Sequence, residues 1–371
     1  MPVALMDIAA QYGPLRREID AAIAGVLDSG RFILGPEVKA LEGEISERVG
    51  GRPCVGVANG TDALAIALQA VGVGPGDEVL TSPYTFYATA EAVARLGATP
   101  VFADIEPVGL CLDPDAAAER ITPRTKAILP VHIFGHPADH RRLRELADAH
   151  GLPLIEDAAQ AMGAADGEVP VGAMGDLATV SFFPTKNLPG IGDGGMVICR
   201  DEDMAEHVRR LRFHGSKDKV SFEEVGYNSR LDELQAAVIR VFLPHLDAWN
   251  DGRRAAAAAY AEGLPAELDL PAERPGARHV YHLYVVRHRE RDALRAALGE
   301  AGVASAVYYG IPLHLQPVFA GLGYRPGDLP VAEECAGQGL AIPMHPNLGP
   351  DAVAEVVAAA GAACAALPAV S

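Results

Sequence analysis

Cysteine, tryptophan and positive charge are all scarce in this chain. Five cysteines and one tryptophan are spread over 371 residues. The cysteines (Cys54, Cys111, Cys199, Cys335, Cys364) are odd in number and never form a C-x-x-C pair. That argues against a disulfide framework or a thiolate zinc site and fits reduced thiols. Basic residues number 31 against 49 acidic, a formal charge of −18. The deficit argues against nucleic acid or an anionic membrane as the main partner, since both need a positive surface. Any anionic ligand must be held by a local set of donors. A membrane segment is missing too. The opening residues carry Asp7 and lack a basic stretch followed by a long apolar run, so no signal peptide is expected. The apolar run Val353–Val370 is mostly alanine, with Glu355 inside it and Pro368 near its end, and is expected to be a packed terminal helix. A cytoplasmic protein follows, with no membrane partner.

What the chain does have is apolar bulk. Hydrophobic residues make up 49%, enough for a large core, and the length predicts two domains. Between about residues 50 and 200, β-rich runs alternate with helical patterns. Strands are expected at Cys54–Val57, Glu78–Thr81, Thr99–Phe102, Ala127–Val131, Leu152–Ile155, Thr179–Phe182 and Met196–Cys199. Helices are expected at Asp62–Ala70, Ala88–Arg95 and His140–Ala149. This alternation predicts an α/β fold with a mostly parallel sheet, binding its ligand beyond the carboxyl ends of the strands. Further helices are expected at Asp232–Ala248 and Asp251–Glu262, then a β-like run at Val280–Arg287 and a helix at Arg291–Ala301. The expected division is a large α/β domain over 1–248 and a small α+β domain over 249–371.

Three segments carry chemistry. In Ser181-Phe-Phe-Pro-Thr-Lys186-Asn-Leu-Pro-Gly-Ile-Gly-Asp-Gly-Gly195, a lone lysine sits between an apolar strand and a glycine-rich turn. Taken alone it is an ordinary loop lysine. The glycines do not make a dinucleotide fingerprint, because a strand and not a helix follows them. In Leu152-Pro-Leu-Ile-Glu-Asp157-Ala-Ala-Gln160, an apolar strand delivers a carboxylate at its end, which taken alone is a turn or cap as readily as a site. If Lys186 binds pyridoxal phosphate as a Schiff base, Asp157 supplies the anionic partner that keeps the ring nitrogen protonated, and Gln160 can reach the phenolic oxygen. In Val55-Gly-Val-Ala-Asn-Gly60-Thr61-Asp62, a strand, a turn and a helix start offer free N–H groups and a hydroxyl to a phosphate. The same residues also make an ordinary N-cap. Phe86 follows the next strand, where an aromatic can stack on a flat ring, although position alone favours a core aromatic. His132, His136 and His140 have nominal metal-ligand spacing, but Gly135 and Pro137 break any helix that would align them, and no metal is expected. His214 lies in a basic stretch and reads equally as a substrate contact or a solvated side chain.

Together these segments resemble the DegT/DnrJ/EryC1/StrS family of nucleotide-sugar aminotransferases. The resemblance runs through FILGPEV (Phe32–Val38), NGTDAL (Asn59–Leu64), IEDAAQ (Ile155–Gln160), SFFPTKN (Ser181–Asn187), GDGG (Gly192–Gly195), GYNSRLDELQAA (Gly226–Ala237) and PLHLQP (Pro312–Pro317). It implies an aspartate-aminotransferase-like fold (fold type I) and pyridoxal 5′-phosphate as cofactor. It implies Lys186 and Asp157 as catalytic residues, with Gly60, Thr61 and Ser181 on the phosphate, Phe86 on the ring and Gln160 on its oxygen. Asn228 would reach the phosphate of a neighbouring subunit, giving a homodimer with shared sites. Relatives with histidine in place of the lysine are dehydratases, so Lys186 implies transamination from L-glutamate. The acceptor implied is a keto nucleotide-sugar, a 3-keto hexose on dTDP or UDP, with 4-keto sugars and cyclitol or aminobenzoate-type ketones as alternatives. A non-catalytic regulator that keeps the pocket is a third reading. Leu188-Pro189-Gly190 departs from the usual Leu-Gly-Ala, and Tyr308-Tyr309-Gly310 stands where relatives often have His-Tyr-Pro.

Overall fold

The computed structural model describes residues 2–367; the last four residues of the chain, with the expected helix end at Pro368 and Val370, lie outside the described residues. Seven short strands build the main sheet: β1 (Cys54–Val57), β2 (Glu78–Thr81), β3 (Thr99–Phe102), β4 (Thr125–Leu129), β5 (Ile155–Asp157), β6 (Leu177–Ser181) and β7 (Gly195–Cys199). Their order across the sheet is β1-β7-β6-β5-β4-β2-β3, with parallel bridges Ile128–Leu154 and Val131–Asp157 joining the β4 and β5 halves. Strands β2 to β4 pair in parallel, as do β5 and β6, and β7 alone runs against both its neighbours. The architecture is therefore α/β with a mostly parallel sheet, and β1 to β6 deliver their carboxyl ends to one edge.

Apart from the edge strand β3, whose residues alternate half-buried and buried, the strands are mostly buried on both faces, as sheets covered by helices require. Successive residues along β7 show it. Val197 and Cys199 join the core under helices α3 (Gly60–Ala70), α4 (Ala88–Arg95) and α6 (Glu202–Arg212), whereas Met196 and Ile198 join the core under α2 (Pro36–Arg48) on the other face. Helices α1 (Arg16–Ser29) and α5 (His140–His150) complete the layers around this sheet. Burying each such aliphatic side chain contributes roughly 1.5–3 kcal/mol before the entropy of ordering it is counted.

Two expected elements move. The helix expected through residue 248 stops earlier: α7 spans Glu233–Phe242, a 3₁₀ turn covers Leu243–His245, and α8 runs unbroken over Leu246–Gly263. Pro244 is the reason, since it has no N–H for the helical ladder and its ring crowds the preceding turn. The β-like run at Val280–Arg287 pairs only from Tyr284, giving β8 (Tyr284–Arg287), antiparallel to β9 (Gly339–Ile342). Residues 279–282 instead give their carbonyls to the side chains of Arg254, Asn187 and Arg253. Helices α8, α9 (Arg291–Glu300) and α10 (Pro350–Ala366) pack on β8 and β9 in a core of their own, which Val3 also enters. No helix among the described residues is long and apolar enough to cross a membrane.

Candidate active site

At the carboxyl edge of the sheet lies a cavity of about 580 Å³, lined by Gly60, Thr61, Phe86, Asp157, Gln160, Ser181 and Lys186 among others. Seven of the eight residues singled out from sequence meet there. The eighth, Asn228, lies outside the cavity of its own chain, exposed, with its side-chain oxygen taken by Arg230.

Asp157 is the last residue of β5 and is 4% exposed. Thr89 Oγ1 donates to its Oδ2 at 2.8 Å and the Ala159 N–H to its Oδ1 at 3.2 Å. Burial raises its pKa, against the lowering effects of those bonds and of Lys186. Thr89 Oγ1 lies 3.1 Å from Thr85 Oγ1. Because the single Thr89 proton goes to Asp157, Thr85 must donate to Thr89. A carboxylate this poorly compensated calls for a cationic partner in the cavity.

Lys186 follows β6 and is half-buried at the cavity. Burial lowers its pKa to about 8, with Asp157 opposing. Near pH 7.5, about a quarter of such amines are unprotonated, against about one in a thousand for an ordinary lysine. Its loop is held on several sides. The Lys186 N–H donates to Phe183 O at 2.8 Å, Tyr12 Oη to Gly190 O at 2.9 Å, and Asn187 Nδ2 to Asn250 Oδ1 at 2.8 Å and Val280 O at 3.0 Å. The Leu188-Pro189-Gly190 variation sits within this braced turn.

The helix start after β1 forms a cradle. Asn59 caps α3 through Asp62 N–H at 2.8 Å, so the Gly60 and Thr61 N–H groups ahead of it remain available beside the cavity. A Cβ at Gly60 would fall 2.8 Å from Ser181 Cβ. Glycine is thus required there, and its absence of side chain brings the amides and the Ser181 hydroxyl to one spot. Free amides, two hydroxyls and a helix N-terminus suit a phosphate. With a buried carboxylate and a depressed lysine in the same cavity, the residues present fit pyridoxal phosphate.

Phe86 lines the cavity and is 58% exposed, so it is no core aromatic. Gln160 is buried, its Oε1 accepting from the Phe134 N–H at 2.7 Å and its Nε2 donating to Tyr309 Oη at 3.0 Å. Thr85, Thr89, His282 and Tyr309 are lining residues to which the sequence assigned no role. The Thr85–Thr89 spacing of four, at a helix start beside Phe86, was a usable signal. Tyr309 and His282 come from more than a hundred residues further along; Tyr309 lies in the Tyr308-Tyr309-Gly310 departure noted above, whereas no local pattern announces His282. His282 arrives on the 279–283 segment, where buried Arg253 donates to Tyr281 O, His282 O and Met344 O at 3.1–3.3 Å. Burial pushes the His282 imidazole pKa well down, with Lys186 and Arg253 adding to it.

The spaced histidines part company. His132 accepts the Ala138 N–H on Nδ1 and so donates from Nε2 to Glu156 at 3.0 Å. His136 donates to Pro137 O and accepts from Arg274 N, while His140 pairs with Asp166. Among the described residues no cluster of histidine, cysteine or carboxylate ligands stands ready for a metal. His214 is exposed and outside the cavity.

Comparison with known proteins gives the family. The chain is 50% identical over 352 residues to the "Pleiotropic regulatory protein" of Geobacillus stearothermophilus, covering 94% of this chain and 95% of that one. It is 48% identical over 348 residues to the dTDP-3-amino-3,4,6-trideoxy-alpha-D-glucose transaminase of Streptomyces venezuelae, covering 93% and 92%. The crystal structure of S. venezuelae DesV in complex with a ketimine intermediate superposes with a TM-score of 0.95 at 46% identity, covering 98% of each chain. The model of the DegT/DnrJ/EryC1/StrS aminotransferase family matches residues 14–360. The chain belongs to that family and is a pyridoxal-phosphate-dependent aminotransferase.

Proposed function

We propose that this enzyme moves an amino group from L-glutamate to a 3-keto hexose linked to dTDP or UDP, with Lys186 as its central residue. The observation that carries the site reading is the meeting of a pKa-depressed lysine and a buried carboxylate on one cavity, beside a phosphate cradle. The amination position rests on the Streptomyces relative, whose name specifies a 3-amino sugar.

When bound, the cofactor supplies an electron sink for negative charge at the substrate carbon. The protein's residues do the rest. Lys186 Nζ, partly unprotonated near neutrality, takes the proton from the amino acid's α-carbon and returns a proton in the second half-reaction. Asp157, held by Thr89 and the Ala159 N–H, keeps positive charge on the ring nitrogen. Gly60, Thr61 and Ser181 hold the phosphate, Phe86 covers the ring, and Gln160 donates to the ring oxygen. Phe86 and Phe183 both line the cavity yet stay exposed, which supports a second copy of the chain closing it. Asn228 then serves the partner's phosphate in a cytoplasmic homodimer. The large domain of this reading ends at residue 248 and the small one begins at 249.

Lys186→Ala is expected to abolish both the visible absorbance of the cofactor-loaded enzyme and turnover. Wild-type transamination by that variant would refute the site. A panel of 3- and 4-keto nucleotide sugars with glutamate, read by mass spectrometry and NMR, tests the acceptor. Turnover of 4-keto sugars alone would overturn the C3 assignment.

A further inference from the structure

Gln160 does not stand by itself in the cavity wall. Its Oε1 accepts the Phe134 N–H at 2.7 Å, which settles which end of the carboxamide is oxygen. Its Nε2 donates one hydrogen to Tyr309 Oη at 3.0 Å and keeps the other. Tyr309 Oη is used as an acceptor, so its own hydrogen must point elsewhere, and Tyr309 lines the cavity. Two neighbouring hydrogens, one from Gln160 Nε2 and one from Tyr309 Oη, are therefore free for an acceptor in that cavity.

The frame behind the pair is rigid. Phe134 stacks on Tyr309 with ring centroids 6.2 Å apart and 18° between planes, and Tyr84 meets both rings edge-on. Buried Tyr84 donates its hydroxyl to Tyr308 O at 2.7 Å, fixing the backbone that carries Tyr309. The Phe134 N–H is set by an unusual left-handed backbone, with φ 54°. Next to it, Gly135 (φ +97°) passes so close to Val280 that a Cβ would lie 2.9 Å from its side chain. The loop after β4 and the segment around Tyr308–Tyr309 thus hold the oxygen and the nitrogen of one carboxamide.

We propose that Tyr309 is a positioning residue that acts through Gln160, holding its carboxamide so that the remaining Nε2 hydrogen meets the cofactor's ring oxygen. This rests on the cofactor site proposed above. Hydrogen bonds donated to that oxygen favour its negative charge. They weaken its hold on the proton shared with the lysine-linked nitrogen and so keep the pH midpoint of the visible absorbance low. Without the Tyr309 hydroxyl, the carboxamide is tied at one end only.

The test is Tyr309→Phe, Gln160→Ala and the double variant, each loaded with cofactor and titrated by visible absorbance. Tyr309→Phe keeps the ring and its packing. It is expected to raise the midpoint by about one pH unit, in line with one lost charge-assisted hydrogen bond, and to lower kcat about tenfold. Gln160→Ala should shift the midpoint in the same direction, and the double variant should go no further than the larger single shift. A wild-type midpoint in Tyr309→Phe, or two shifts that add in full, would overturn the proposal, as would lowered thermal stability with the midpoint unmoved. Lack of any visible band in the wild type would instead refute the cofactor site itself.

Discussion

Gly60→Ala probes the phosphate cradle at its tightest point. The new Cβ would sit 2.8 Å from Ser181 Cβ and 3.2 Å from Ser181 Oγ, so the start of α3 or the end of β6 must shift. Overpacking of this kind costs about 1–3 kcal/mol, and better helix propensity for alanine returns up to about 1 kcal/mol. The net loss in the cofactor-free protein should be about 1–2 kcal/mol. Binding suffers separately. Displacing one backbone donor from a phosphate removes a charge-assisted hydrogen bond worth about 1.5–3 kcal/mol, or roughly ten- to a hundredfold in Kd. Urea denaturation of the cofactor-free form and fluorescence titration with pyridoxal phosphate measure the two effects. Ser181→Gly added to Gly60→Ala removes the atoms in collision, so it should restore most of the stability and none of the affinity. An unchanged Kd in Gly60→Ala, or no stability recovered in the double variant, would refute the cradle.

Asp157→Asn should lower kcat at least about a hundredfold, because a neutral amide cannot keep the ring nitrogen charged. The cofactor-free variant should melt at the same temperature or higher, since a buried carboxylate is removed and the Thr89 hydroxyl can reverse its role; a lower melting temperature would mean Asp157 mainly holds the fold. Acid should weaken the protein through its buried imidazoles. Burial lowers His136 to about 4, His279 and His282 well below their ordinary value, and His345 also downward. The unfolded chain takes up these protons near pH 6.5 while the folded one does not. Stability present above that pH is therefore lost below it, at up to about 1.4 kcal/mol per histidine per pH unit. A urea midpoint that stays level from pH 7 to pH 5 would contradict this.

The local chemistry was legible in the amino-acid order. Lys186, Asp157, Gly60 and Thr61 each sit within a few residues of a strand end or helix start, and such features depend on neighbours in sequence. The alternation of strands and helices was readable for the same reason, with most ends within two residues and the start of β5 displaced by three, from Leu152 to Ile155. Pro244 was present to be read, and only an apolar pattern running through it concealed the break. Other features had no local signature. Tyr309 reaches Gln160 across 149 residues, and His282 reaches the cavity on a segment held by Arg253. Those meetings come from packing between elements far apart in the chain, which no window of sequence contains. The order of residues thus determined which groups could hold the cofactor. The tertiary structure decided which hydrogens those groups had left to offer, because partners such as Phe134, Thr89 and Tyr309 claim the others only once the chain has folded.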